Sequence, residues 1–559
     1  MPAFEPTAEQ LHIHDLFRTG KPLLIRAGAG TGKTTTLQQL SQILQQENRL
    51  GLYLAFNRAI AVEAQRKFPT NVTAKTSHAL ARKGISVSAH APLLDKMGAG
   101  RIPLHVTGTR LGIRSISVSG ADGSPRLLTD YKVTRHVIRT LDEFCKTADE
   151  HIGPQHVPAM VGLDTDGATE LAERILPWAE KAWRDVSHPN GDAIKFGHNH
   201  YLKLWQLMHP RIGRPGAALF LDEAQDTSPV LAAVIAEQDH LHRVFVGDRA
   251  QSIYAFTGAV DSMENFGDAA EGRLTQSWRF GRAIAEAANE MLAQLGDDMR
   301  LVGNPARESR IVTGPQHPHD AILTRTNGTA LAHVIAALAA GRTVHMMGGD
   351  SENAVRFCDS AEKLKAGQPA SHEDLAAFTT WGQVQEYAED SPDATDLKVW
   401  VRLIDDHGVD ALRNALTRLQ PEDRASLVVS TAHRSKGREF ERVRLADDLA
   451  EALDKSDRGS TALRQERMLA YVAITRAKMT LDPGALASPA DSAPVQLLPA
   501  TSPPSQAVPP PAETSGNTHQ TVSVSFTDRE IAALQRLAGN DLTGWLRDTA
   551  LSHLADKAS

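Results

Sequence analysis

The eight residues AGAGTGKT, Ala27 to Thr34, constrain this chain more than any other stretch. They follow the apolar run Leu23-Leu24-Ile25 and precede TTLQQLSQILQQ, which suits a helix. A buried strand, a glycine-rich turn and a helix N-terminus make an anion cradle, because the turn amides point inward and the helix dipole favours negative charge. Gly28, Gly30 and Gly32 leave room for a polyphosphate and allow backbone angles that side chains forbid. In such a loop Lys33 reaches the β and γ phosphates and the Thr34 hydroxyl holds Mg²⁺. Ala27 stands where the usual first glycine would be, and Gly32-Lys33-Thr34 is intact.

At 559 residues the chain is too long for one core and calls for three or four domains. Its 41% hydrophobic and 23% charged content is that of a globular protein able to bury sizeable cores. Net charge is −7. Bulk electrostatics therefore argue against a passive nucleic-acid coat, and a nucleic-acid partner would be held by local basic patches. Cys145 and Cys358 lie far apart without metal-ligand company, which fits a reducing compartment. No leader pattern and no run long enough to cross a bilayer is seen, so the expectation is a cytoplasmic protein without a membrane partner, nucleoid-associated if bacterial.

Before the loop, PTAEQLHIHDLFRTG reads as a helix with Thr7 as N-cap, placing Gln10 where its amide can pair with an adenine edge. A second strand over Leu50 to Phe56 leads to a helix opening at Asn57, and Thr76, Ser77 and His78 fall where a strand gives way to a helix. Residues 85–200 read as a largely helical insertion, and its histidines, including His151, His198 and His200, show no metal spacing.

GAALFLDEAQDTSPVL is an apolar strand ending in Asp222 and Glu223. Beside a phosphate loop, the first acid can hold Mg²⁺ through water and the second can orient or deprotonate the attacking water. HRVFVGDRAQSIYAF is another strand, with Gln251 available to sense the γ-phosphate and Tyr254 and Phe256 available to stack on bases. A second half begins near LTQSWRF and carries Arg279. It continues through AILTRTNGT and VVSTAHRSKGREFERVRLADD to QERMLAYVAITRAKMTL, which carries Arg476. A guanidinium on the γ-phosphate can stabilise transition-state charge.

Taken together, these ordered motifs resemble the UvrD/Rep branch of superfamily 1A helicases. AFNRAIAVEAQRKFP, TSHALA, HNHYLKLWQL and TAHRSKGREFERVRLADD are similar to the F-box DNA helicase type and its bacterial relatives, although no F-box is apparent. The resemblance implies an α/β fold of two RecA-like P-loop NTPase domains with largely helical insertions. By position these would be 1–84 with 201–273, the insertion 85–200, then 274–345 with 421–482 and a reduced insertion 346–420. It implies ATP and Mg²⁺ as cofactors, with ATP held by Gln10, Ala27, Gly28, Ala29, Gly30, Thr31, Gly32, Lys33, Thr34, Thr35, Trp278 and Glu439. Catalysis would fall to Lys33, Asp222, Glu223, Gln251, Arg279 and Arg476, and the metal to Thr34 and Asp222. Phe56, Asn57, Thr76, His78, Tyr254, Phe256 and His433 match positions that touch single-stranded DNA, where stacking contributes about 1 to 3 kcal/mol per base. Thr257 replaces an arginine common in relatives.

Residues 483–520 are rich in Pro, Ala and Ser and read as a disordered linker. Residues 521–559 offer an alternating strand, a capping box at Thr527 and Glu530, a stop at Gly539 and a helix around Trp545 and Leu546. This resembles a ribbon-helix-helix module of α+β type, in which two copies would pair and Thr521, Ser523 and Ser525 would face bases. A helical hairpin for protein contact is the other reading.

The expected activity is ATP-dependent 3′ to 5′ movement on single-stranded DNA with unwinding of tailed or forked duplexes, in repair, recombination or replication. Two alternatives stand beside it. One is an ATPase that strips proteins such as a recombinase from DNA, and the other is a mobile-element protein whose tail recognises a site.

Overall fold

The computed structural model describes residues 5–486 except 56, 99, 101, 121–122, 161, 255–262, 264–268, 315, 349–350, 373, 377, 391–394 and 458. The expected linker past residue 486, the expected tail with Thr521, Ser523 and Ser525, and Phe56, Phe256 and Thr257 lie outside the described residues.

Helix α1, Ala8–Arg18, opens with a capping box in which Thr7 accepts from the Gln10 amide and the Gln10 side chain accepts from the Thr7 amide. Strand β1, Leu23–Ala27, then feeds α2, Lys33–Gln46. β2, Gly51–Ala55, is buried throughout, as befits a strand covered on both faces. The chain continues through α3, Arg58–Lys67, β3, Val72–Thr76, and α4, Ser77–Ser86. The next segment holds α5, Leu104–Leu111, an antiparallel hairpin of β4, Ile116–Ser119, and β5, Pro125–Leu128, then α6, Asp130–Lys146, α7, Thr165–Val186, and α8, His198–Leu207. The first half closes with β6, Ala218–Asp222, α9, Pro229–Ala236, β7, His242–Gly247, and β8, Ala270–Leu274.

The second half runs α10, Arg282–Gln294, β9, Arg310–Ile311, β10, Ala321–Thr324, α11, Asn327–Ala339, and β11, Val344–Met346. Four helices follow: α12, Ser351–Lys365, α13, Trp381–Asp390, α14, Thr395–His407, and α15, Val409–Thr417. The sheet resumes with β12, Leu427–Thr431, and β13, Phe440–Leu445, and the described chain ends with α16, Asp448–Lys455, α17, Thr461–Ile474, and β14, Ala477–Asp482.

The two large sheets are both six-stranded and parallel, ordered β3-β2-β6-β7-β1-β8 and β11-β12-β10-β13-β14-β9. This is an α/β fold, and the helical crossovers that parallel pairing requires cover both faces. One core lies under α2 against β1, β2 and β6, while the other face of that sheet merges with the α5–α8 insertion. The helices α12–α15 share a core with α11, β11 and β12.

Register decides where chemistry can gather. Ile25 and Asp222 are both paired with Val246, so β1, β6 and β7 end level. The loop after β1, the acids after β6 and the turn after β7 therefore emerge side by side at the carboxyl edge, where open parallel sheets bind ligands.

Candidate active site

Gly30 and Gly32 hold left-handed angles, φ +72° and +85°. A Cβ on Gly30 would sit 2.6 Å from Arg279 Cβ, and one on Gly28 would meet Leu301 at 2.0 Å. These glycines thus permit both the turn and the approach of the second half. Ser277 Oγ donates to the Ala29 carbonyl at 2.9 Å and the Trp278 amide donates to the Gly30 carbonyl at 2.8 Å, so the loop carbonyls are pinned outward. The amides of Lys33, Thr34 and Thr35 begin α2 and have no carbonyl one turn behind them. Ala27 and Thr31 are buried beside them.

Lys33 Nζ meets Glu223 Oε2 at 2.8 Å. Burial opposes its charge, but Glu223, Asp222 and Asp248 outweigh that and raise the lysine above its ordinary value. Glu223 adopts a left-handed backbone, φ 53° and ψ 46°, which costs a non-glycine residue on the order of 1 kcal/mol. That turn lets its amide donate to Asp222 Oδ1 at 3.0 Å while its carboxylate reaches Lys33 and Gln225, the latter at 2.7 Å. Burial presses Asp222 upward, reinforced by Glu223. Glu223 itself is held low: burial opposes its ionisation, and Lys33 and Lys436 prevail. Carboxylates thus outnumber the cations that neutralise them. Among the described residues no three acidic or histidine side chains converge as a ready-made metal cage, so a divalent cation here would need Asp222 together with the Thr34 hydroxyl and oxygens from outside the chain.

The second half closes this site. Arg476, fully buried, donates from Nη2 to Gln251 Oε1 at 3.1 Å and from Nε to the Val472 carbonyl at 2.9 Å. Burial and then the Arg279 charge press its guanidinium below the usual value, against the pull of Glu223 and Asp248. Gln251 is oriented by donating to Asp248 Oδ2 at 2.6 Å. Arg279 spans Glu439 at 2.8 Å and the Thr475 carbonyl at 2.9 Å. Glu439 stays below the carboxylate range: burial resists, and Arg279 and Lys478 overcome it. At the mouth, Gln10 Nε2 and Trp278 Cδ1 both approach within 4 Å of where a Gly32 side chain would stand. Trp278 is 49% exposed, a free ring beside the loop.

The residues expected to touch single-stranded DNA also make contacts within the chain. Asn57 caps α3 through the Ile60 amide at 2.9 Å, and Thr76 caps α4 through the Ala79 amide at 3.1 Å. His78 is exposed, edge-on to Tyr201 and His198. Tyr254 donates to the His433 carbonyl at 3.3 Å, joining the halves, and burial pushes the His433 ring down to about 4.

Several partners were not assigned roles from sequence. Tyr53 donates to Asp222 Oδ2 at 2.5 Å, and Tyr471 donates to Asp248 at 3.0 Å while accepting from the Ala29 amide at 3.3 Å. The repeated acids of DEAQD, which put Asp226 one turn past Asp222, and the placement of Tyr471 just before Thr475-Arg476 were the available signals.

Comparison with known proteins matches residues 10–257 to a family model described as an AAA domain and residues 351–482 to the UvrD-like helicase C-terminal domain. The two matches together support a UvrD/Rep-type helicase, with the UvrD-like C-terminal domain over 351–482. This UvrD-like chain is 28% identical over 515 residues to F-box DNA helicase protein 1 of Schizosaccharomyces pombe, covering 85% of this chain and 57% of that one. It is 29% identical to F-box DNA helicase 1 of Gallus gallus, at 85% and 48% coverage, and 30% identical to DNA helicase IV of Escherichia coli, at 49% and 45%. The UvrD-like chain therefore spans about half the length of the curated relatives it matches.

Proposed function

We propose that this chain is an ATP-driven, Mg²⁺-dependent DNA helicase or translocase that moves 3′ to 5′ on single-stranded DNA, in the cytoplasm, with repair or recombination as its setting. The observation that carries the reading is the contact of Arg476 with Gln251 across a cleft whose other wall is Lys33 and Glu223. The names of its relatives support DNA as the track.

ATP would lie with its base between Gln10 and Trp278 and its phosphates on the amides of the loop. Polyphosphate gives Lys33 a stronger anionic partner, which releases Glu223. Glu223, held ionised at neutral pH, then accepts a proton from the attacking water. Thr34 and Asp222 would hold Mg²⁺, whose charge would offset that of the phosphates. Arg279 and Arg476 place guanidinium charge where the γ-phosphate departs, and Gln251 ties that charge to the first half. Repeated closing and opening of the cleft, with DNA gripped by both halves, turns hydrolysis into steps.

The test is steady-state ATP hydrolysis by the intact protein and by Lys33→Ala, with and without single-stranded oligonucleotide. Stimulation that disappears in the variant, a loss of about 10² to 10³ in kcat, is expected. A folded, ATP-binding protein without stimulation overturns the reading. Duplexes with a 3′ or a 5′ tail then decide polarity.

A further inference from the structure

Lys436 has no part in the scheme above, yet it crosses the cleft. It sits on the turn between β12 and β13 and reaches three groups of the first half. Its ammonium pairs with the Asp226 carboxylate, donates to the Gln251 carbonyl at 2.5 Å and lies 5.0 Å from the centre of the Tyr254 ring. The side chains of Lys436 and Asp226 are only 9% and 1% exposed, so water does little to screen this pair.

The partners on either side give the pair its meaning. Gln225 Nε2 bonds both Asp226 Oδ2, at 3.3 Å, and Glu223 Oε2, at 2.7 Å, so a continuous polar chain runs from Lys436 to Glu223. Three residues before Lys436 on the same turn, His433 accepts from Tyr254. One turn of the second half is therefore tied at one end to residues matched to the DNA track and at the other to the proposed general base. The Oδ1 atom of Asp226 is buried without a hydrogen-bond partner. A pair built for stability alone would satisfy both oxygens, because an unpaired buried acceptor is costly.

We propose that Lys436 is a positioning residue that couples occupancy of the DNA track to ATP hydrolysis, acting through Asp226 and the Gln251 backbone. This rests on the function proposed above. Filling the track fixes Tyr254 and the 433–436 turn against the first half. That seats the Lys436 charge beside Glu223 and holds Gln251 where Arg476 needs it. With the track empty, the turn is free to withdraw and the polar chain parts at the Lys436–Asp226 link.

The experiment compares the full chain with Lys436→Met, Lys436→Arg and Asp226→Asn. ATP hydrolysis is measured without DNA and at saturating oligo-dT, with oligo-dT affinity read by fluorescence anisotropy. Lys436→Met should cut the stimulated kcat by about tenfold, within the usual range of coupling between sites, while KM for ATP and oligo-dT affinity change by less than about threefold. Lys436→Arg, which keeps the charge, should recover part of the stimulation. Asp226→Asn preserves shape and should reproduce the loss even if Lys436→Met fails to fold. Equal proportional loss of basal and stimulated rates, or full stimulation in a folded variant, overturns the inference. An unstimulated wild-type protein instead overturns the functional reading beneath it.

Discussion

The two six-stranded sheets treat the loops that follow β1 and β10 in opposite ways. After β1 the chain supplies glycines, and the amides opening α2 are left for an outside anion. After β10 the same kind of site is filled from within. The Asp448 carboxylate accepts from the Arg325 amide at 2.9 Å and the Thr326 amide at 3.1 Å, ahead of α11. The Arg325 guanidinium is spent on Glu466 through two bonds of 2.8 Å. One carboxylate thus occupies the amides ahead of α11, whose own cap is Thr326 accepting from the Thr329 amide, and the second half is left to contribute cations to its neighbour. The lesson extends to the acids: Asp448 finds its partners within its own half, whereas Asp226 must borrow Lys436 from across the cleft.

The sharpest way to break this division is at Arg476. If the second half acts by lending positive charge in a fixed geometry, Arg476→Ala should lower kcat by about 10³, and Arg476→Lys should not restore it, because an ammonium cannot reproduce the planar fork. Single-turnover hydrolysis of pre-bound ATP reads this directly, and rescue by lysine would reduce the contribution to charge alone.

A smaller effect should separate the borrowed pair from the local one. Burial, opposed by Lys436, raises Asp226 to about 6. Its folded value lies above the unfolded value of about 3.9, so the fold holds this proton more firmly than the unfolded chain does. The resulting stability is complete below the unfolded value and is lost as pH rises through about 6. Across that window the wild type should lose, relative to Asp226→Asn, on the order of 2 kcal/mol, measured by denaturant midpoints at successive pH values. Parallel curves would show that the pair costs nothing to ionise.

The smallest effect belongs to Asp448. Asp448→Ala should cost about 1 kcal/mol, from the hydrogen bonds to the Arg325 and Thr326 amides that it removes, and leave binding of a fluorescent ATP analogue unchanged. A second nucleotide site appearing in that variant would mean that Asp448 alone kept the second sheet from binding phosphate.

Much of this arrangement was legible in the sequence because phosphate chemistry demands fixed local spacing. Gly32-Lys33-Thr34, Asp222-Glu223 and the strand before each could be recognised within a dozen residues. Arg279 and Arg476 were legible only as members of an ordered set, and the structure brings both to the cleft. Tyr53 and Lys436 escaped because nothing local marks them, and Tyr471 because its place before Thr475-Arg476 does not name its partners. The Ala29 amide and the Tyr471 hydroxyl are 442 positions apart, and the pairing exists only after both sheets have folded. Asn57 and Thr76 were read through the resemblance as strand contacts, while their side chains also serve as caps.

Tyr471 and Arg476 lie on and just past one helix, α17, whose buried stretch Leu469–Ile474 is packed in the second core. The helix cannot deliver the phenol to Ala29 and Asp248 without also bringing the guanidinium toward Gln251. Its stiffness makes the two contacts a logical conjunction: the glycine-rich loop and Gln251 are engaged together or not at all. A cleft in which the second half touches the loop but not Gln251 is thereby removed from the states open to the chain.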